Sequence, residues 1–298
     1  MPAPSILDNI AILIARISRR VVRIRDLAPL AGGSIQPAYV ATLADGARFF
    51  VKVGSPEQRE RLRAEARGLE ALRKAAATRV PQTWLVGGEG RHYFLMLEYL
   101  DLRPGDAGAH ARLGRELAAQ HRHGAALYGF ERDNYIGATL QSNRQEADWL
   151  RFFRDQRLLP QLQLAAANPA SAPWVGAGEE LAERLGGLFA GYQPQASLLH
   201  GDLWPGNAGF VEGGEPVLYD PAVYYGDREA ELAMTELFGG FDPAFQAAYR
   251  EAWPLDAGYA TRKGLYKLYH LLNHFNLFGA SYGDAVEQGI AGLLAELR

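Results

Sequence analysis

LLHGDLWPGN, residues 198–207, sets His200 two positions before Asp202 and leaves four residues between Asp202 and Asn207. That H-x-D-x-x-x-x-N spacing suits phosphoryl transfer. The Asp takes the proton of an attacking hydroxyl, and the Asn side-chain oxygen reaches a magnesium ion on nucleotide phosphates. Asp, Pro, Gly and Asn also favour plain surface turns, so the surrounding features decide between the two readings. Downstream, PVLYDPA puts Asp220 at the end of a short apolar run that reads as a strand. Asn207 and Asp220 then offer one neutral and one charged hard oxygen, the donor type magnesium takes, with its other positions left to phosphate and water. Asp-Pro also initiates turns; with Asp202 upstream, the ligand reading of Asp220 is favoured.

Towards the N-terminus, LAGGSIQPAYVATLADGARFFVKV reads as a glycine turn, a strand near 39–43, a tight turn at Asp45-Gly46 and a second strand through 49–53. Gly32 and Gly33 let backbone amides approach phosphate oxygens with no Cβ in the way. Ser34 could add a hydroxyl donor, so the hairpin is expected to cover a nucleotide, although a double glycine by itself reads equally as an ordinary turn. Lys52 lies in the otherwise apolar FFVKV; facing inward it needs a partner, and alternation would equally let it face water. The next helix is expected to begin at Ser55-Pro56, with Ser as N-cap and Pro at the first helical position. Along it Leu62, Ala66, Leu69 and Leu72 make an apolar stripe, and Glu65 falls on that stripe while Glu60 and Glu70 project away. Lys52 is therefore expected to pair with Glu65, as in the Lys–Glu pair that positions nucleotide phosphates.

HYFLMLEYL, residues 92–100, is a nearly continuous apolar strand, and the shift to DLRPGDAG marks a hinge. It is expected to separate an N-lobe, residues 1–100, from a C-lobe, residues 101–298; in a bilobal kinase Glu98 and Leu100 would offer backbone carbonyl and amide groups to adenine, and the other reading of the segment is a plain strand followed by a loop. ARLGRELAAQHRHG, WLRFFRDQRLLPQLQLA, REAELAMTELFGG and TRKGLYKLYHLLNHFNLFGA carry helical periodicities, against short strands near Leu199 and Leu218. The expected fold class is α+β: a bilobal, protein-kinase-like fold with a small mixed N-lobe, a mainly helical C-lobe and ATP in the cleft. Trp204, two residues past Asp202, either stacks on the C–H face of a sugar or holds the loop from the core. Glu231 either anchors the loop backbone or faces solvent.

On GGSIQPAY, FFVKV, LLHGDLWPGN, LYDPAVYYGDREAELAMTELFGGF and YHLLNHFNLFG, the chain resembles the fructosamine kinase (ketosamine-3-kinase) family, within the aminoglycoside-phosphotransferase-like kinases. The resemblance runs across nearly the whole chain. HGD and a later Asp occur in many such kinases; LWxGN followed by YDPAxYYGxRExELAM is far more discriminating. Pro205 stands where the family commonly has Ser, which leaves Asp202 and Asn207 in register. The resemblance implies ATP-dependent phosphorylation of the 3-hydroxyl of a ketosamine such as a fructosamine or ribulosamine. The 3-phosphate then decomposes and releases the amine, which amounts to repair of glycated amines or proteins. Spacing alone leaves open a kinase for another small hydroxyl compound, such as an aminoglycoside or amino alcohol, and a non-catalytic nucleotide-binding protein of the same fold. The joint presence of Lys52, Glu65, Asp202, Asn207 and Asp220 favours an enzyme.

Composition agrees. At 298 residues and 48% hydrophobic content the chain can bury a core large enough for two lobes. A net charge of −3 gives no bulk drive towards nucleic acid or anionic membrane. The absence of cysteine excludes disulfides and thiolate metal ligands. SILDNIAILIARISRR places Ile6, Ile10, Ile14 and Ile17 on one amphipathic helix too short and too basic to span a membrane. No signal peptide is evident, so a cytoplasmic location is expected.

Overall fold

The strand FFVKV becomes the centre of a sheet because its two faces are covered by two different helices. The computed structural model describes residues 5–18, 22–30, 36–167 and 173–298. After α1 (Ile6–Ser18) and the edge strand β1 (Ile24–Leu30) come β2 (Ala38–Leu43) and β3 (Arg48–Gly54), then α2 (Arg59–Ala75), β4 (Thr83–Glu89) and β5 (His92–Glu98). The five strands are antiparallel in the order β1-β2-β3-β5-β4. Val51, Val53, Phe94 and Met96 pack with Ile10 and Leu13 of α1. Leu95 and Leu97 pack on the opposite side with Leu62 and Leu69 of α2. Strand alternation puts Lys52 on that second side. Each leucine buried in this layer contributes about 1.5–3 kcal/mol, which fixes α2 against the sheet and so fixes Glu65.

The entry to α2 differs slightly from the sequence reading. Pro56–Gln58 forms a 3₁₀ turn before the α-helix proper, and the Ser55 amide donates to the Gln58 side chain at 3.0 Å. Pro56 still opens the helical run, since its missing N–H costs nothing there.

The C-lobe begins with α3 (Ala107–His121), capped by Asp106, whose carboxylate accepts from the Ala109 amide at 2.8 Å. A hairpin of β6 (Asn134–Ile136) and β7 (Thr139–Gln141) follows, then α4 (Trp149–Phe153), which passes through a π-helical turn into α5 (Leu159–Ala166). The remainder is α6 (Val175–Arg184), β8 (Ser197–Leu199), β9 (Ala208–Phe210), β10 (Pro216–Leu218), β11 (Tyr224–Gly226), α7 (Arg228–Thr235), α8 (Pro243–Ala252), α9 (Tyr259–Phe278) and α10 (Gly283–Glu296). Strand β8 pairs with β11 and β9 with β10, both antiparallel. These two short ribbons bring the loop 200–207 and the segment 219–223 side by side. The architecture is the expected α+β bilobal one. Among the described residues no helix is long and apolar enough to cross a membrane.

Candidate active site

Lys52 and Glu65 meet as expected, with Nζ 2.9 Å from Oε1. Lys52 also bonds Asp220 Oδ1, a contact between residues 168 positions apart. Burial alone would depress the lysine, but Asp220 and Glu65 outweigh it and its pKa is raised. Burial pushes the Glu65 carboxyl up to about 7, against the pull of Lys52. Asp220 is also penalised by burial, yet the adjacent ammonium holds it below the usual carboxylate range. The cation is thus shared between two lobes.

Local packing delivers these groups. Gly68, three residues beyond Glu65, lies where a Cβ would sit 3.1 Å from the Pro221 ring and 3.3 Å from Val223, so α2 rests directly on the segment after Asp220. Asp220 itself adopts φ of 57°, unusual for a residue with a side chain. Its neighbours hold it there: the Tyr219 amide donates to the Asn207 carbonyl at 3.0 Å, and the Ala222 amide to the His200 carbonyl at 2.8 Å.

The loop 200–207 is anchored from beneath. The Glu231 carboxylate, 2% exposed, accepts from the His200 amide at 3.0 Å, the Gly201 amide at 2.7 Å and His121 Nε2 at 2.9 Å. Of the two sequence readings of Glu231, the anchor is the one observed. Gly201 has φ of 86°, and a Cβ there would fall 2.1 Å from the Ala222 carbonyl oxygen, so only glycine allows this approach. His200 Nε2 donates to the Tyr219 carbonyl at 2.9 Å, leaving Nδ1 to face the Asp202 amide at 3.4 Å. Burial lowers its pKa, so it bridges the two segments as neutral imidazole.

At the top of the loop, Asn207 Nδ2 donates to the Asp202 carbonyl at 2.9 Å and to Asp202 Oδ2 at 3.3 Å. That commitment orients the amide, and among the described residues nothing donates to its oxygen. Burial, with the nearby Asp220 charge, pushes Asp202 up to about 7. Trp204 is 40% exposed and lies over Gly206, so it is not the core residue that one sequence reading allowed. Among the described residues no group of three or more His, Asp or Glu side chains gathers as a self-sufficient metal centre. The oxygens of Asn207 and Asp220 suit an ion whose remaining ligands are phosphate and water.

At the hinge the Glu98 amide donates to the Gln82 carbonyl at 2.8 Å and the Glu98 carboxylate accepts from Arg79 Nη2 at 2.7 Å. Among the described residues nothing accepts from the Leu100 amide. Gly32, Gly33 and Ser34 lie outside the described residues. Sequence reasoning missed the Lys52–Asp220 contact, which no local periodicity encodes; the only signal was that both residues had independent reasons to sit beside phosphate.

An antiparallel sheet and helix presenting a Lys–Glu pair to an HGD loop and a following Asp on a helical lobe define a protein-kinase-like phosphotransferase. The chain belongs to the fructosamine kinase family, whose model matches residues 6–296, and is an ATP-dependent phosphotransferase of that kind. It is 41% identical over 289 residues to a "Probable ketoamine kinase" of Synechocystis, covering 96% of each chain. It is 38% identical over 258 residues to the chloroplastic protein-ribulosamine 3-kinase of Arabidopsis thaliana, covering 85% of this chain and 78% of that one. The crystal structure of a candidate fructosamine-3-kinase from Haemophilus somnus superposes with a TM-score of 0.88 at 28% identity, covering 96% of this chain and 97% of the other.

Proposed function

We propose that this protein transfers the γ-phosphoryl group of ATP to the 3-hydroxyl of a ketosamine, a fructosamine or ribulosamine, with Asp202 as general base. The hydroxyl oxygen forms the new bond to phosphorus, the bond to the bridging oxygen of ADP breaks, and the hydroxyl proton passes to the Asp202 carboxylate. Lys52, held by Glu65, faces the phosphates. Asn207 and Asp220 would hold magnesium, which when bound supplies positive charge against the phosphate oxygens. The Glu98 carbonyl and Leu100 amide take the adenine edge, and Gly32, Gly33 and Ser34 cover the phosphates. Trp204 is the platform for the sugar. The boundary between lobes falls near residue 100, and the protein acts in the cytoplasm on small ketosamines or glycated proteins, without nucleic acid or membrane.

The observation that carries this reading is the shared contact of Lys52 with Glu65 from the N-lobe and Asp220 from the C-lobe. It joins the two halves through one ammonium group. The ketosamine assignment is supported by family membership. The test is a panel of fructosamines, ribulosamines, aminoglycosides and amino alcohols incubated with ATP and magnesium, the position of the new phosphate being read by NMR. A 3-phosphorylated ketosamine is expected. Turnover confined to an aminoglycoside or an amino alcohol would overturn the acceptor, and nucleotide binding without turnover of any acceptor would overturn the enzyme.

A further inference from the structure

Exposed aromatic rings cost free energy in water, and a contiguous set of them marks a surface built for contact. Trp204, Phe238 and Phe278 are 40%, 41% and 51% exposed. They are members of one row. The Trp204 and Phe238 ring centroids are 6.4 Å apart, Phe238 and His274 4.8 Å, His274 and Phe278 5.5 Å, and His274 and Tyr282 5.3 Å. The row starts in the loop that carries Asp202 and runs outward along the C-terminal turns of α9 to the start of α10. Its second member is tied to the first: Gly240, two residues past Phe238, lies where a Cβ would sit 2.5 Å from the Pro205 ring, so the segment after α7 leans on the loop after Asp202.

One polar atom interrupts the row. His274 Nδ1 donates to the His270 carbonyl at 2.8 Å, which leaves Nε2 as an acceptor in the neutral ring. Burial also lowers its pKa. The five residues contain no carboxylate and no fixed cation. Such a surface suits a ligand with one N–H donor flanked by apolar or flat groups, the donor carrying positive charge that the ring faces attract.

From this arrangement, and resting on the ketosamine reading above, we infer that Phe238, His274, Phe278 and Tyr282, continuing outward from the sugar platform Trp204, form the subsite for the amine portion of the acceptor. The sugar hydroxyl is fixed at Asp202, so the nitrogen bonded to the sugar leaves the reacting centre along the row. Its ammonium N–H donates to His274 Nε2 between aromatic faces. The substituent beyond it lies on Phe278 and Tyr282. Amines with an aromatic or long alkyl substituent are therefore preferred over amines that carry a carboxylate next to the nitrogen, which meets no cation within the row.

The test compares kcat/KM for three acceptors with the same sugar, in the presence of ATP and magnesium: 1-amino-1-deoxyfructose and its N-benzyl and N-carboxymethyl derivatives. The benzyl compound is expected to exceed the unsubstituted one by about tenfold, the size of one or two aromatic contacts, and the carboxymethyl compound to show no gain. In Phe278→Ala and Tyr282→Ala the benzyl-to-unsubstituted ratio falls towards one, a change that general destabilisation would not produce because both acceptors meet the same folded protein. Equal kcat/KM for all three compounds, or a benzyl preference that survives both substitutions, overturns the subsite and leaves the ketosamine reading standing. If none of the three is phosphorylated while another hydroxyl compound is, the acceptor assignment itself fails.

Discussion

Two clusters of buried charge in this molecule obey the same electrostatics and end in opposite conditions. Beneath the loop, the N-cap and first turn of α7 place Asp227, Glu229 and Glu231 in the core, and their oxygens are taken up by protein donors. Tyr266 and Tyr192 hydroxyls reach Asp227 at 2.6 and 3.0 Å, Arg262 Nε reaches Glu229 at 2.8 Å, and two loop amides and His121 reach Glu231. Above the loop, Lys52 holds Glu65 and Asp220, Asp220 is strained in φ with its side chain 42% exposed, and among the described residues nothing donates to the Asn207 side-chain oxygen. A saturated cluster locks a backbone in place. An open one has oxygens left to give to a ligand. The lower cluster is what allows the upper one to stay open, because Glu231 fixes the loop without drawing on any group that faces the cleft.

The largest expected effect lies in the open cluster. Asp202→Asn keeps the shape but cannot take a proton, and kcat should fall by about a hundred- to ten-thousandfold with ATP affinity little changed. Near-normal turnover would remove Asp202 from its role. In the saturated cluster the expected loss is one of folding. Arg262→Met leaves Glu229 buried without its cation, which typically costs about 3–5 kcal/mol and lowers Tm by roughly 10 °C, while kcat measured well below the melting range stays close to wild type. A collapse of kcat without a fall in Tm would erase the distinction between the clusters.

How much of this was legible in the sequence follows from which interactions are local. The Asp202–Asn207 spacing, the Asp45-Gly46 hairpin and the stripe that places Glu65 beside Lys52 are encoded within a few turns of chain, and all appear in the structure. Strands β1 and β4 were missed because they are sheet edges: IRDLAPL contains a proline and is mostly exposed, and TWLVGGE ends in glycines, so neither alternates cleanly. The orientation of Glu231 could not be read because every residue of α7 is buried, leaving no polar face to contrast with an apolar one. Helices α6, α8 and α10 also escaped. The Lys52–Asp220 contact and the aromatic row depend on how distant elements dock, which no window of sequence contains.

The pairing inside the open cluster can be measured directly. Lys52→Met and Glu65→Gln should each lower kcat/KM for ATP, and the double variant should lose less than the product of the two, with a coupling of about 0.5–3 kcal/mol. Additive losses would mean that Glu65 does not act through Lys52.

The finest separation of the two clusters comes from pH, because each contains one aspartate raised by burial: Asp202 to about 7, with help from Asp220, and Asp227 to about 6, with help from Glu229. For Asp227 the folded value lies above the ordinary 3.8. The folded protein therefore holds the proton more tightly than the unfolded chain, and the stability this residue contributes is fully present below the ordinary value and lost as pH rises through about 6. Asp227→Asn has no such titration, so its Tm should gain on wild type between roughly pH 4 and 7, with no limb added to the rate. As general base in the proposed reaction, Asp202 works as the carboxylate. Acceptor kcat/KM should fall as pH drops through about 7, with the limb moved lower to the extent that a cation beside Asp220 cancels the second cause of the shift. A rate limb that persists in Asp202→Asn, or a Tm difference for Asp227→Asn that does not change with pH, would show that burial is not raising these carboxyls, and the contrast between open and saturated acids would then rest on geometry alone.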